Sequence, residues 1–267
     1  MGAPSSLSTA LNATVRAICD SIGRITTATC TTMTTPKPTV VLVHGAWHGS
    51  WCWQRVTPLL EKRGVAVRTV DLPSVGAAPG ASTDLSADAA AVDAIIEGLG
   101  GPVVLCGHSY GGMVISRVES KSISRLVYLC AFMPLEGQSL VTTGDGTPAP
   151  WIQLLDGGLM QPDPARAGDL FYNDCDPEAR EWAKRMIRPQ TSAIMFEPVA
   201  RPAWRRAPST YIVCANDAAL PAHVQRNVFA ARASEVVELQ ASHSPFLSQP
   251  EALANLLLDR ARAASKS

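Results

Sequence analysis

The sequence predicts an α/β architecture: a mostly parallel, doubly wound sheet with a helical insertion in its second half. Three observations predict it. Six short runs rich in Val, Ile and Leu recur along the chain, continuous rather than alternating, as strands covered on both faces require. Helical patterns of apolar residues lie between most of these runs. One long interval, Met133 to Pro208, breaks the alternation and offers only helical pieces punctuated by Pro and Gly.

In chain order, the expected strands are Thr39–Val43, Val65–Val70, Val103–Cys106, Arg125–Cys130, Thr210–Ala215 and Glu235–Leu239. The expected helices are Trp51–Arg63, Ser86–Leu99, Tyr110–Lys121, Pro221–Arg232 and Pro250–Ala264. The Met133–Pro208 interval contains "DPEAREWAKRMI" and three tryptophans, Trp151, Trp182 and Trp204. An interval of that size is most economically a helical cap over a site below it, with an extra wall of core as the other reading. The core would then comprise residues 36–132 and 209–267, and the cap residues 133–208.

The first 35 residues differ in composition, being rich in Ser, Thr and Ala before "TTPKPTVVLVHG" begins the globular pattern. Leu11, Val15, Ile18, Ile22 and Ile25 fall at helical spacing with Arg16 and Arg24 among them, loosely as in an organellar transit peptide. "MGAPSS" fits the loose myristoylation pattern. The plainer reading makes Met33 a second start and the upstream part an extension dispensable for chemistry.

Bulk properties narrow the function classes. The chain has 267 residues, 46% hydrophobic and 17% charged with formal net charge zero, which suits one soluble globular unit. Neutrality argues against a nucleic-acid or anionic-membrane partner held by charge. No apolar run approaches the roughly 20 residues a membrane helix needs. The seven cysteines are scattered and never paired as CxxC, so neither a disulfide framework nor a zinc site is expected, and the cytoplasm is the expected setting.

The chemistry concentrates at "VLCGHSYGGMV", Val104 to Val114. Gly107 and Gly111, two before and two after Ser109, permit a very tight strand-to-helix turn that exposes the serine oxygen at the carboxyl end of the sheet. That pattern, G-x-S-x-G between a strand and a helix, makes Ser109 a candidate nucleophile. A serine hydroxyl needs a base. His243, in "LQASHSPFLSQP", follows the last strand on a loop that converges on the carboxyl edge, and is the expected base. His108 is expected to point elsewhere, His44 to brace a loop, and His223 to lie on the surface.

The imidazole needs an orienting carboxylate. Asp217 in "YIVCANDAALP" follows the penultimate strand and gives the order Ser, Asp, His; Asp145 is the alternative acid, and Asp71 in "TVDLP" caps backbone amides instead. The turn in "VLVHGAWHG" resembles an oxyanion loop, so the amides of Ala46 and Tyr110 are expected to hold a developing negative charge. Trp47 and Phe132 are the expected substrate-lining residues. Trp51 and Trp53, at the start of a helix, are expected to pack.

With these parts in order, the chain resembles α/β-hydrolases over almost all of Thr39 to Ala264. "VHGAWHGSWCW" and "GHSYGG" resemble the branch that holds plant methylesterases, hydroxynitrile lyases and many small bacterial esterases. The lyases carry a threonine where this chain has Gly45, and a cyanide-stabilising lysine after the catalytic histidine where it has Ser244. Dehalogenases and epoxide hydrolases of the fold carry an aspartate at the elbow, where this chain has Ser109. The resemblance therefore implies a serine esterase acting on an apolar small-molecule ester or lactone, without metal or organic cofactor. A small-molecule receptor, carbon–carbon bond hydrolysis, perhydrolysis and hydroxynitrile lyase chemistry are the alternatives it leaves. It also implies that cap and terminal helices offer surfaces for a homodimer.

Overall fold

The computed structural model describes residues 37–264. The expectations for the first 35 residues, including Cys19 and Cys30, lie outside that range. Nine strands occur in chain order: β1 (Thr39–Val43), β2 (Val67–Val70), β3 (Val103–His108), β4 (Ile123–Leu129), β5 (Ile152–Leu155), β6 (Leu159–Pro162), β7 (Gln190–Thr191), β8 (Ser209–Cys214) and β9 (Glu235–Leu239).

Six of them form the central sheet in the order β2-β1-β3-β4-β8-β9, every pairing parallel. β1, β3 and β8 are buried along nearly their whole length, which is why their sequences run apolar without alternation. The chain crosses from β1 to β2 on one side and then returns to place β3 on the other. Such a reversal opens a crevice at the carboxyl ends of the two diverging strands. The loop after β1 and the turn after β3 both sit there.

The helix Leu85–Glu97 starts where the Asp84 side chain accepts the Ala87 N–H at 2.9 Å. Its buried face comprises Leu85, Asp88, Ala89, Val92 and Ile96, a helical spacing that includes one carboxylate. The closing helix Pro250–Ala264 has the expected bounds.

Two expected helices are broken. Trp51–Arg63 divides into a short 3₁₀ turn, Ser50–Trp53, and a helix, Thr57–Lys62, with Pro58 at its start, where a missing N–H costs nothing. Pro221–Arg232 is a helical turn, a π turn at Gln225–Phe229, then a 3₁₀ turn. The wide turn coincides with the buried side chain of Gln225, which bonds to three residues outside the helix, Cys214, Asp217 and Leu220.

The Met133–Pro208 segment corrects the expectation of a wholly helical insertion. It holds the helices Ala167–Phe171 and Pro177–Met186, but β5, β6 and β7 form a small antiparallel sheet beside them. These strands are two to four residues long, too short for a period to register in sequence.

Candidate active site

Ser109 stands between β3 and the helix Gly111–Arg117 with φ of +52°. Among the described residues, only Trp47, Ser109 and Cys130 are non-glycine residues at positive φ. They follow the carboxyl ends of β1, β3 and β4, which are neighbours in the sheet. Left-handed backbone at a side-chain-bearing residue is held only where the surroundings dictate it. At Ser109 the dictation is visible. Its N–H donates to Leu129 O at 3.2 Å, and its carbonyl accepts from Gly112 at 3.0 Å and Phe132 at 3.1 Å. A Cβ on Gly111 would lie 2.8 Å from the carbonyl oxygens of Val43 and His44, and one on Gly107 would collide with the Gly111 carbonyl. Both glycines are required by close backbone approach.

His243 is buried, and its Nδ1 lies 2.7 Å from Asp217 Oδ2. Asp217 is itself fixed. Its Oδ1 accepts from the N–H groups of Ala219 (2.9 Å) and Leu220 (2.8 Å), and its Oδ2 also accepts from Gln225 Nε2 at 2.9 Å. The alternative acid, Asp145, is exposed, and among the described residues its side chain bonds to Thr147 two residues on. His243 carries its loop against the carboxyl ends of β3 and β4, since its carbonyl accepts from His108 Nε2 at 2.8 Å and faces Cys130 Sγ at 3.5 Å.

His108 does not line the cavity onto which Ser109 opens, in keeping with the expectation that it points elsewhere. It packs against the His243 ring with centroids 4.7 Å apart. His108, His44 and His48 are fully enclosed, and loss of hydration drives all three toward the neutral imidazole. His44 is lowered to about 4, His48 to about 3, and His108 well below the usual range. His44 joins Gly45 O (2.8 Å) to the Leu72 N–H (3.1 Å), and His48 joins Ala46 O (2.7 Å) to the Tyr172 hydroxyl (2.8 Å). Both brace the loop after β1. His223 is exposed, and Asp71 accepts the Ser50 N–H at 2.6 Å, each as expected.

Ser109 and His243 open onto one cavity of about 400 Å³. Ala46, Trp47, Tyr110 and Phe132 line it too, so the structure brings together all the expected site residues except Asp217, which stands behind His243. Neither the Ala46 N–H nor the Tyr110 N–H donates to another group among the described residues. The walls are apolar and aromatic, with Trp151 edge-on to Trp47 at 5.7 Å and Phe171 beside both. Among the described residues, the titratable side chains that line the cavity are Tyr110, Asp145 and His243. Trp51 and Trp53 pack elsewhere, against His48 and Phe246. Sequence reasoning missed Phe171, Gln190 and Gln225; no motif surrounds any of them.

A family model described as the alpha/beta hydrolase family matches residues 40–256. The chain belongs to the alpha/beta hydrolase family. It is similar to a pyrethroid hydrolase of Sphingobium wenxiniae, 32% identical over 84% of this chain and 88% of that one. It is similar to a polyneuridine aldehyde esterase of Rauvolfia serpentina, 28% identical over 82% and 94%. Among solved structures, a pyrethroid hydrolase from Sphingobium faniae superposes with a TM-score of 0.75 at 30% identity, covering 86% of this chain and 99% of that one. The resemblance to methylesterases and small bacterial esterases read from "VHGAWHGSWCW" and "GHSYGG" therefore holds.

Proposed function

We propose that this alpha/beta hydrolase, a carboxylic ester hydrolase by the class of its relatives, cleaves an ester or lactone of an apolar small molecule through Ser109, His243 and Asp217. One observation carries the reading. A serine on strained backbone shares an apolar cavity with a histidine whose far nitrogen is held 2.7 Å from a buried carboxylate.

In this reading Ser109 Oγ attacks the acyl carbon while His243 Nε2 takes its proton. Asp217 keeps Nδ1 protonated and aimed, and stabilises the imidazolium that forms. The Ala46 and Tyr110 amides receive the oxyanion, a contribution of about 3–4 kcal/mol per donor. The alcohol leaves with the proton from His243. Water then gives its proton to His243 as its oxygen attacks the acyl-enzyme, the acid departs, and the proton returns to Ser109. Trp47 and Phe132 line the acyl or alcohol pocket under the Met133–Pro208 insertion, which acts as the cap. Residues 1–35 take no part, so a chain begun at Met33 keeps full turnover. The five described cysteines are free thiols, in keeping with a cytoplasmic setting.

The test is hydrolysis of p-nitrophenyl esters from acetate to octanoate by wild type and Ser109→Ala, with fluorophosphonate labelling. Turnover and labelling lost together on substitution are expected. A wild type that neither turns over any ester nor takes the label at Ser109 overturns the reading in favour of a binding protein.

A further inference from the structure

Outside the reacting groups, one buried carboxylate is built into the fold without an assigned role. Asp88 lies on the inner face of the helix Leu85–Glu97 and is fully enclosed. A buried carboxylate is costly unless its oxygens are well supplied with donors. Here Oδ1 accepts the Ser74 N–H at 3.0 Å, and Oδ2 accepts the Ser74 hydroxyl at 2.5 Å and the Tyr110 hydroxyl at 2.8 Å.

Two arms run outward from it. The first is the Tyr110 side chain, which ties Asp88 to the residue following Ser109. The second passes through Ser74 Oγ, which accepts from Gln190 Nε2 at 2.8 Å, and through Gln190 Oε1, which accepts the Trp47 N–H at 3.0 Å. It ends at the residue following Ala46. Asp88, Ser74 and Gln190 are wholly buried and Tyr110 and Trp47 nearly so, which makes these bonds short of competition from water. Backbone bonds run alongside the second arm, Thr191 N–H to Ser74 O and Arg188 N–H to Trp47 O, both at 3.0 Å. Gln190 belongs to the insertion, Ser74 to the loop after β2, and Asp88 to a core helix. One carboxylate thus joins three separate segments and stops at both turns that carry the proposed oxyanion donors.

We infer that Asp88 is a positioning residue that sets the spacing and direction of the Ala46 and Tyr110 amides; this rests on the esterase reading above. Packing the Ser74 loop alone would need no bond to Tyr110. An oxyanion site works by donors fixed in advance at the place where charge develops, so loosening either turn weakens binding of the transition state more than binding of the ester.

The experiment compares wild type with Asp88→Asn, Tyr110→Phe and Gln190→Met on a p-nitrophenyl ester, reading kcat and KM separately. Affinity for a trifluoromethyl ketone, which forms a tetrahedral adduct, is measured in parallel. Tyr110→Phe and Gln190→Met each cut one arm and leave the backbone amides in place, so they decide the matter even where Asp88→Asn does not fold. The expected result is kcat lower by about tenfold, less than the 100- to 1000-fold of losing a donor outright. KM stays within about twofold, and trifluoromethyl ketone affinity falls in step with kcat/KM. Single-arm variants that fold like wild type and keep both kcat and ketone affinity overturn the proposal while wild-type turnover leaves the esterase reading standing. Loss of KM alone also overturns it. A wild type without turnover or Ser109 labelling overturns both.

Discussion

The Nδ1 atom of His243 lies 2.7 Å from Oδ2 of Asp217, and the same oxygen receives Gln225 Nε2 at 2.9 Å. Two donors converge on one buried carboxylate oxygen, so the group can serve there only as an acceptor. Asp217→Asn places an amide against those donors and favours the wrong imidazole tautomer. We predict that kcat on a p-nitrophenyl ester falls by about 10⁴-fold while near-ultraviolet circular dichroism stays native. Retention of kcat within tenfold would remove Asp217 from the proposed triad.

Gln225 joins that carboxylate to the backbone, accepting the Cys214 N–H at 3.0 Å and donating to Leu220 O at 2.6 Å. Gln225→Met leaves these buried groups unpaired. The expected cost is about 1–3 kcal/mol in urea unfolding, together with a lower kcat as Asp217 loosens. A variant as stable and active as wild type would show that the bonds are redundant.

Gly111→Ala drives a methyl group against the carbonyls of Val43 and His44, each 2.8 Å from the new Cβ. Backbone cannot swing aside as a side chain does, so a loss of about 1–3 kcal/mol is expected, with kcat reduced because the elbow helix moves off the loop after β1. Gly98→Ala is the control. At its ordinary φ of −72° the new Cβ would sit 3.5 Å from the Ile95 carbonyl, and thermal unfolding is expected at or above the wild-type temperature.

Burial holds His44 and His48 neutral, lowering them to about 4 and about 3 from 6.5. The unfolded chain therefore binds more protons than the folded one between those values and pH 6.5. Stability present above pH 6.5 is lost as pH falls toward 4 and below, on the order of 3 kcal/mol or more per residue. Asp88 runs the other way. Burial raises it from 3.8 to about 6 against the pull of Ser74 and Tyr110, with the Asp84 charge adding to the rise, so its contribution is present below pH 3.8 and lost as pH rises through 6. In urea unfolding from pH 7.5 to 4.5, His48→Gln is expected to flatten the acid-side decline and Asp88→Asn to steepen it. Parallel curves for all three proteins would contradict both assignments.

Much of the architecture was legible because one physical rule writes it into local sequence. A strand covered on both faces must be apolar throughout, and "TVVLV" and "VVLC" marked β1 and β3 at or near their observed bounds, while "EVVEL" marked the half-exposed edge strand β9 by its β-branched pair. The elbow was legible for a related reason. A backbone approach that excludes Cβ leaves glycine as the only residue able to fill Gly107 and Gly111, and that fixes Ser109 between them. The order Ser109, Asp217, His243 follows from strand order in a parallel sheet.

Tertiary structure alone decided the rest. Whether Asp217 or Asp145 meets His243 depends on a contact between residues 26 apart in one case and 98 apart in the other, and only the packed sheet selects the first. The short strands β5, β6 and β7 take their state from pairing with each other rather than from any period of their own. Asp88, Ser74, Gln190 and Trp47 form one hydrogen-bonded chain from four distant segments, and each looks ordinary where it stands in sequence. Their significance comes from burial, because removal of water turns an unremarkable polar side chain into one that must find a partner.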